Sequence, residues 1–205
     1  MSRPAARPPN GEWRMANGVP PSMPSPAVWL LILACLHLPA CAWDPEVTAM
    51  VPEAPESLPA RSEKTVAIDR AQGGEDTNLF IAPSLGDAGF RKALHLALER
   101  SGLFQRAVID QNADYLLYPE VITQELIPGL KMTAVLHARY RLIEAWSKKK
   151  LWEDRILTVY DADLGEGLYG LTRARAALEG AVKKNLSKLL KRLAKRVETL
   201  SDRRE

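Results

Sequence analysis

Twelve of the fifteen prolines in this 205-residue chain lie at or before Pro59, and only Pro83, Pro119 and Pro128 come later. Proline removes a backbone donor and interrupts both helices and strand ladders, so a packed domain belongs to the proline-poor remainder. Both cysteines, Cys35 and Cys41, also fall in the proline-rich part. From Ala42 onward the chain therefore offers no disulfide, no thiolate metal site and no cysteine nucleophile. The length suits one domain with appendages. A hydrophobic fraction of 46% and a charged fraction of 26% argue against whole-chain disorder and against a polytopic membrane protein. The net charge is +3; Arg3, Arg7 and Arg14 against Glu12 place +2 of it in residues 1–40 and leave +1 for the rest. No basic domain stands ready for nucleic acid.

Ala27 to Leu38 is a run of about a dozen mostly apolar residues, against about 20 needed to span a bilayer, and is the size of a secretory h-region. Leu38-Pro39-Ala40-Cys41 follows it and resembles a bacterial lipobox, with an aliphatic residue, a small residue directly before the cysteine, and Cys41 as the acylated position. Pro39 and His37 depart from the usual pattern. Ile32-Leu33-Ala34-Cys35 is a second lipobox, but it leaves a shorter apolar run, so Cys41 is the expected site. A start at Met15 or Met23 would shorten the leader and discard every arginine. By the lipoprotein resemblance, Ala42 in place of an inner-membrane retention aspartate implies sorting to the outer membrane, facing the periplasm. Residues 1–40 then form the signal peptide.

Residues 41–64 carry Cys41 and then Pro45, Pro52, Pro55 and Pro59 among recurrent glutamates. This composition predicts an extended, solvated tether with no core to join, about 20 residues reaching up to about 60 Å. The expected folded domain covers residues 65–200, with a charged tail at 201–205.

Within that domain Thr65–Ile68 reads as a strand, followed by a Gly73-Gly74 turn. Phe90, Ala93, Leu94, Ala97 and Leu98 recur at helical spacing after Asp87 and before Ser101-Gly102. Asp114–Ile122 reads as a strand that Pro119 assigns to an edge or a bulge. Ile127–Leu130 reads as a turn. Met132, Ala134, Leu136, Ala138, Tyr140 and Leu142 alternate strictly, predicting a strand with one core face. Trp146–Lys150 then turns into a last strand, Leu151–Tyr160. A long helix over Leu171–Leu200 carries Leu178, Val182, Leu186, Leu189, Leu190, Leu193, Val197 and Leu200 at spacings of three and four. The expected class is α+β, in the order β-α-β-β-β-α: a single layer of mainly antiparallel sheet with both helices on one face.

The helix Phe90–Phe104, the strand Ala113–Leu117, the hairpin His137–Ala145 with Leu151-Trp152, and the helix Arg173–Leu186 together resemble a poorly characterised group of proteobacterial outer-membrane lipoproteins. Their domain is similar to the curli-secretion lipoprotein, the amino-terminal domain of TolB, the lipoprotein activators of penicillin-binding proteins and the auxiliary lipoproteins of lipid-transport ABC systems. The resemblance spans about residues 65–200 and rests on packing motifs, so it implies fold more than activity. Ser147-Lys148 stands where a glycine-containing turn is usual.

Other motifs are weaker. Gly165-Glu166-Gly167-Leu168-Tyr169-Gly170 spells a dinucleotide fingerprint, but no further strand follows to complete it, so a glycine-rich connection is expected. Asp161 and Asp163 could open a calcium loop, yet Thr172 occupies its last ligand position. His95 and His137, the histidines beyond the leader, show no triad pattern. Lys183, Lys184, Lys188, Lys191, Arg192, Lys195 and Arg196 form a basic stretch without acids, which suits a solvated helix face or a surface for anionic lipid, glycan or an acidic partner. The helix is expected to overhang strands of eight to twelve residues (about 25–40 Å), leaving Lys191, Arg192, Lys195 and Arg196 free to dock a partner or membrane.

The expected function is a non-enzymatic, lipid-anchored binding or assembly module of the envelope, with no cofactor, no metal and no nucleic acid. An accessory lipoprotein of a lipid-transport ABC system is the alternative, and an enzyme a lesser one.

Overall fold

A computed structural model describes residues 44–53, 61–74, 83–109, 112–167 and 169–201. Cys35, Cys41, the leader and the tail at 202–205 lie outside these residues.

The domain is α+β. Strands β1 (Ser62–Ile68), β2 (Phe104–Val108), β3 (Tyr115–Ile127), β4 (Met132–Glu144) and β5 (Lys150–Ala162) form one mixed sheet in the order β2-β1-β3-β4-β5. Helices α1 (Val47–Met50), α2 (Asp87–Ser101) and α3 (Gly170–Ser201) complete it. β1 pairs in parallel with both β2 and β3, while the β3–β4 and β4–β5 pairs are antiparallel. The strand β2 is additional to the expected order. It starts two residues after the left-handed cap Gly102 (φ 60°), and its outward Gln105-Arg106 pair breaks the alternation that would betray it. Because it returns through α2, its pairing with β1 is parallel, so the sheet is mixed.

The alternation of β4 is realised: Met132 through Leu142, every second residue, is buried against the helices. Tyr140 shows that both long helices share that face. Its ring centroid lies 6.3 Å from that of Phe90 on α2, and its hydroxyl donates to Asn185 Oδ1 on α3 at 2.7 Å. α3 lies close on β5, because Gly180 leaves room for the Tyr160 ring; a Cβ there would sit 2.5 Å from it.

Pro119 sits in a central strand, not an edge. Leu117 O accepts from Asp69 N, and Val121 N donates to Gln72 O, so odd-numbered residues of β3 turn their backbone polar groups toward the β1 side. The nitrogen of Pro119 therefore faces the gap between the end of β1 and Gln72, where no ladder donor is required. Three residues later Ile122 forms a bulge, and the core-facing phase shifts to Gln124 and Leu126. Gly73 (φ 82°) packs against Val121 O so closely that a Cβ would lie 2.1 Å away, which fixes the Gly73-Gly74 turn.

Two further expectations fail. The segment 44–53 is not a free tether: Met50 is fully buried and Val51 nearly so, both within the core cluster. Met50 and Val51, with the partly buried Val47, seat α1 on α2 and α3, and the flanking Glu46 and Glu53 find cations on α3. β1 also begins at Ser62, inside the expected tether. Nor does α3 overhang at Lys191, Arg192, Lys195 and Arg196. Its 32 residues run about 48 Å, but β3, β4 and β5 have 13 residues each, about 43 Å. Leu193, Ala194 and Val197 are accordingly buried.

Candidate functional site

The basic stretch of α3 divides by helical period. Lys184, Lys188, Arg192 and Arg196, four residues apart, form one row along β5. Lys184 Nζ donates to Val159 O (2.9 Å), Lys188 Nζ to Leu157 O (3.1 Å), Arg192 Nη1 to Asp154 Oδ2 (2.8 Å) and Arg155 O (3.4 Å), and Arg196 Nη2 to Leu151 O (2.8 Å). Four residues on a helix rise about 6 Å, and two on a strand about 6.7 Å, so an antiparallel helix can serve alternate carbonyls at 159, 157 and 155, and the longer reach of Arg196 carries it past 153 to 151. β5 is an edge strand, and this row of cations occupies carbonyls that would otherwise template another strand. Of the four residues expected to form a docking face, Arg192 and Arg196 are thus engaged within the fold. Lys191 and Lys195 are exposed.

Among the described residues, no element covers the sheet opposite the helices, and this face is open. Its outer residues come from alternate positions of β3, β4 and β5 and fall into two zones. Near the β4–β5 turn the zone is charged. Arg139 donates to both carboxylate oxygens of Glu120 (Nε to Oε2, 3.0 Å; Nη2 to Oε1, 2.6 Å), which raises the Arg139 pKa. Lys150 Nζ donates to Glu153 at 2.7 Å, and this bond holds the Glu153 carboxyl below its ordinary value. The Arg141 guanidinium lies 5.8 Å from the Tyr118 ring centroid, while burial and then Asp69 push the Tyr118 phenol up.

The far zone mixes aliphatic and polar side chains: Glu125 lies opposite Val135, Thr123 opposite His137, and Ile127 opposite Thr133, which in turn faces Asp161. Val135 lies opposite Val159, and His137 opposite Leu157. Leu157 is 55% exposed, Val159 42% and Ile127 50%, and the bulge residue Ile122 is also exposed. Leu157 and Val159 point outward because Ile156 and Thr158 point into the core. Leu157, Val159 and Val135 thus form an aliphatic patch flanked by polar groups, the kind of surface that partners cover.

A cleft of about 670 Å³ opens at the carboxyl ends of β1 and β2, lined by Asp69, Arg70, Arg91, Asn112, Tyr118 and Lys148. Arg91 is committed to the backbone there, donating to Ile68 O (2.6 Å) and Ile109 O (2.9 Å).

The remaining sequence candidates fold into local roles. Gly165–Gly170 runs from within the short 3-10 turn Leu164–Glu166 to the start of α3, with Leu168 outside the described residues. Asp161 accepts from Thr133 Oγ1 (2.7 Å), and Asp163 pairs with Lys131 (3.3 Å). His95 Nε2 lies 3.2 Å from Ala107 O. His137 belongs to the open face. Lys148 takes the left-handed conformation (φ 57°) at the turn where glycine is usual, supported by Lys148 N donating to Glu144 O. The hairpin forms as expected.

One residue passed unnoticed in the sequence. Asn185 is fully buried; it accepts from Tyr140 and donates to Ile156 O (2.9 Å) and Thr158 Oγ1 (3.2 Å). Its place between Val182 and Leu189 in the apolar stripe was the available signal.

No family model matches this sequence, and no curated protein matches it. Solved structures do resemble the fold. A Xanthomonas campestris protein of the DUF330 family superposes with a TM-score of 0.61 at 13% identity, covering 78% of this chain and 98% of its own. A hypothetical protein of Chlamydia trachomatis gives 0.50 at 12% identity, covering 67% and 98%. A lipoprotein of Neisseria meningitidis gives 0.40 at 14% identity, covering 67% and 99%. Likeness at these identities concerns the fold: this chain carries the α+β architecture of the DUF330 protein over nearly all of that protein's length.

Proposed function

We propose that the protein is a non-enzymatic binding or assembly module of the cell envelope, acylated at Cys41 and held at the periplasmic face of the outer membrane. The lipid anchor is supported by the apolar run Ala27–Leu38 and the Leu38-Pro39-Ala40-Cys41 motif. The observation that carries the binding role is the open sheet face, where Leu157, Val159 and Ile127 stand exposed beside the paired charges of Glu120, Arg139 and Glu153. An apolar strip with a polar flank is the anatomy of a protein-binding surface. Lys191 and Lys195 supply a lesser surface for anionic lipid or glycan.

A second function, accessory to a lipid-transport ABC system, is favoured by the aliphatic character of the same strip, which suits an acyl chain or an apolar segment of a membrane-spanning partner. Photo-crosslinking in cells separates these. A crosslinker at Leu157 should capture a discrete protein, and one at Lys195 should not. Capture of lipid at Leu157 favours the transport role, and no capture at Leu157 rejects the open face as the binding surface.

A further inference from the structure

The way α1 is seated has a consequence for how the anchored domain meets the membrane. Glu46 N donates to Glu179 Oε1 at 2.6 Å, and Arg175 bridges Glu179 (2.7 Å) and Glu46 (3.5 Å). Lys183 lies 3.8 Å from Glu53, and Met50 is inserted with no exposure. The chain is therefore fastened to α3 from Glu46 onward. Only three peptide units separate Cys41 from Asp44, so their Cα atoms are at most about 11 Å apart. An extended tether of the expected length would instead have allowed about 60 Å.

The fastening point also has a side. α1 packs on α2 and α3, the two helices that share one face of the sheet. α1 therefore lies on the helix side of the sheet, with the sheet between it and the open face. Asp44, Pro45 and Val47 line a cleft of about 410 Å³ with Ala88, Gly89 and Lys92 at the start of α2. Lys191 and Lys195 are exposed on α3, in the same helix layer.

From this placement we infer that the membrane leaflet carrying the Cys41 acyl group lies against the helix layer around α1 and the start of α2, and that the open sheet face points away from it into the aqueous space. The surface reads lipid, not a second protein, because the chain leaving it reaches the acylated residue within three residues. This orientation rests on the acylation of Cys41 proposed above. It leaves Leu157, Val159 and Ile127 accessible to a partner while the domain stays against the membrane.

The test uses the full acylated chain in a Cys35→Ser background, purified from membranes and placed in vesicles of phosphatidylethanolamine and phosphatidylglycerol. A fluorophore is attached at Ala88→Cys in one sample and at Leu157→Cys in another, and quenching by headgroup spin-labelled lipid is read. Quenching should be several-fold stronger at position 88 than at 157. Inserting 20 glycine and serine residues between Trp43 and Asp44 should abolish the difference without altering the unfolding transition. Equal quenching at both positions, or stronger quenching at 157, overturns the orientation. Mass measurement of the purified chain reports acylation separately: an unacylated Cys41 removes the anchor itself, whereas an acylated chain with equal quenching removes only the orientation.

Discussion

The two faces of the sheet differ in how their polar groups are satisfied. On the covered face Asn185, Thr158 and Tyr140 form a closed network: Thr158 Oγ1 donates between Ala181 O (3.1 Å) and Leu136 O (3.3 Å), and burial pushes the Tyr140 phenol up, keeping it a donor. Every member is out of water, so loss of one leaves others unpaired at full cost. On the open face Glu120, Arg139, Lys150 and Glu153 pair in contact with solvent, where ion pairs contribute little to stability. The covered face contributes more to stability than the open one.

Substitutions can break or sharpen that contrast. The largest effect is expected for Asn185→Leu. It strips partners from Tyr140, Ile156 and Thr158, and urea unfolding should show a loss of about 3 kcal/mol. A loss below about 1 kcal/mol would mean that the network does not hold α3 in place. Gly180→Ala should cost about 1–3 kcal/mol by driving a methyl into the Tyr160 ring. The loss should shrink in combination with Tyr160→Ala, as a double-mutant cycle would measure.

A smaller effect separates the two rows of basic residues. Arg192→Gln with Arg196→Gln removes donors from the β5 backbone and should cost about 1–2 kcal/mol, with dimers or larger species appearing in light scattering as the edge opens. Lys191→Gln with Lys195→Gln should stay within about 0.5 kcal/mol and remain monodisperse to the same extent as the parent. Equal behaviour of the two pairs would return the whole basic stretch to a solvated face.

At the sheet end Asp114 accepts from Thr65 N (2.9 Å) and Oγ1 (3.0 Å), and these bonds lead in holding its carboxyl below the ordinary value. A depressed carboxyl contributes stability that is present above about pH 4, its unfolded value, and is lost as pH falls through the folded value. Thermal melts of Asp114→Asn should therefore lack part of the acid-side decline seen in the parent. The smallest stability change belongs to Leu157→Ser with Val159→Ser, within about 0.5 kcal/mol; under the binding role proposed above, photo-crosslinking from position 137 on the same face should be lost. Retained crosslinking would move recognition off the apolar strip.

Much of the architecture was legible locally. The period-two pattern of β4 and the three-and-four spacing of α3 survive in the fold because each element buries one face against the other, and alternation is the direct trace of that burial. Gly73 and Gly102 marked their turns because only a residue without a Cβ takes those conformations at no cost. β2 was not legible: five residues immediately after a helix cap, with two exposed in succession, carry too little pattern.

The sequence by itself determined the α+β class, the long closing helix, the cysteine-free domain and the candidate anchor at Cys41, because composition and periodicity are properties of neighbouring residues. Only the tertiary structure decided what the charges and prolines do. Arg192 and Arg196 looked like a free cationic surface until β5 proved long enough to lie under them. Met50 looked like part of a tether until α2 and α3 supplied a place to bury it. Pro119 looked like an edge marker until the ladder was found to leave a gap at its nitrogen. Each outcome depends on a partner distant in the chain, since a charge, a lone apolar side chain or a missing donor takes its meaning from whatever the fold brings beside it.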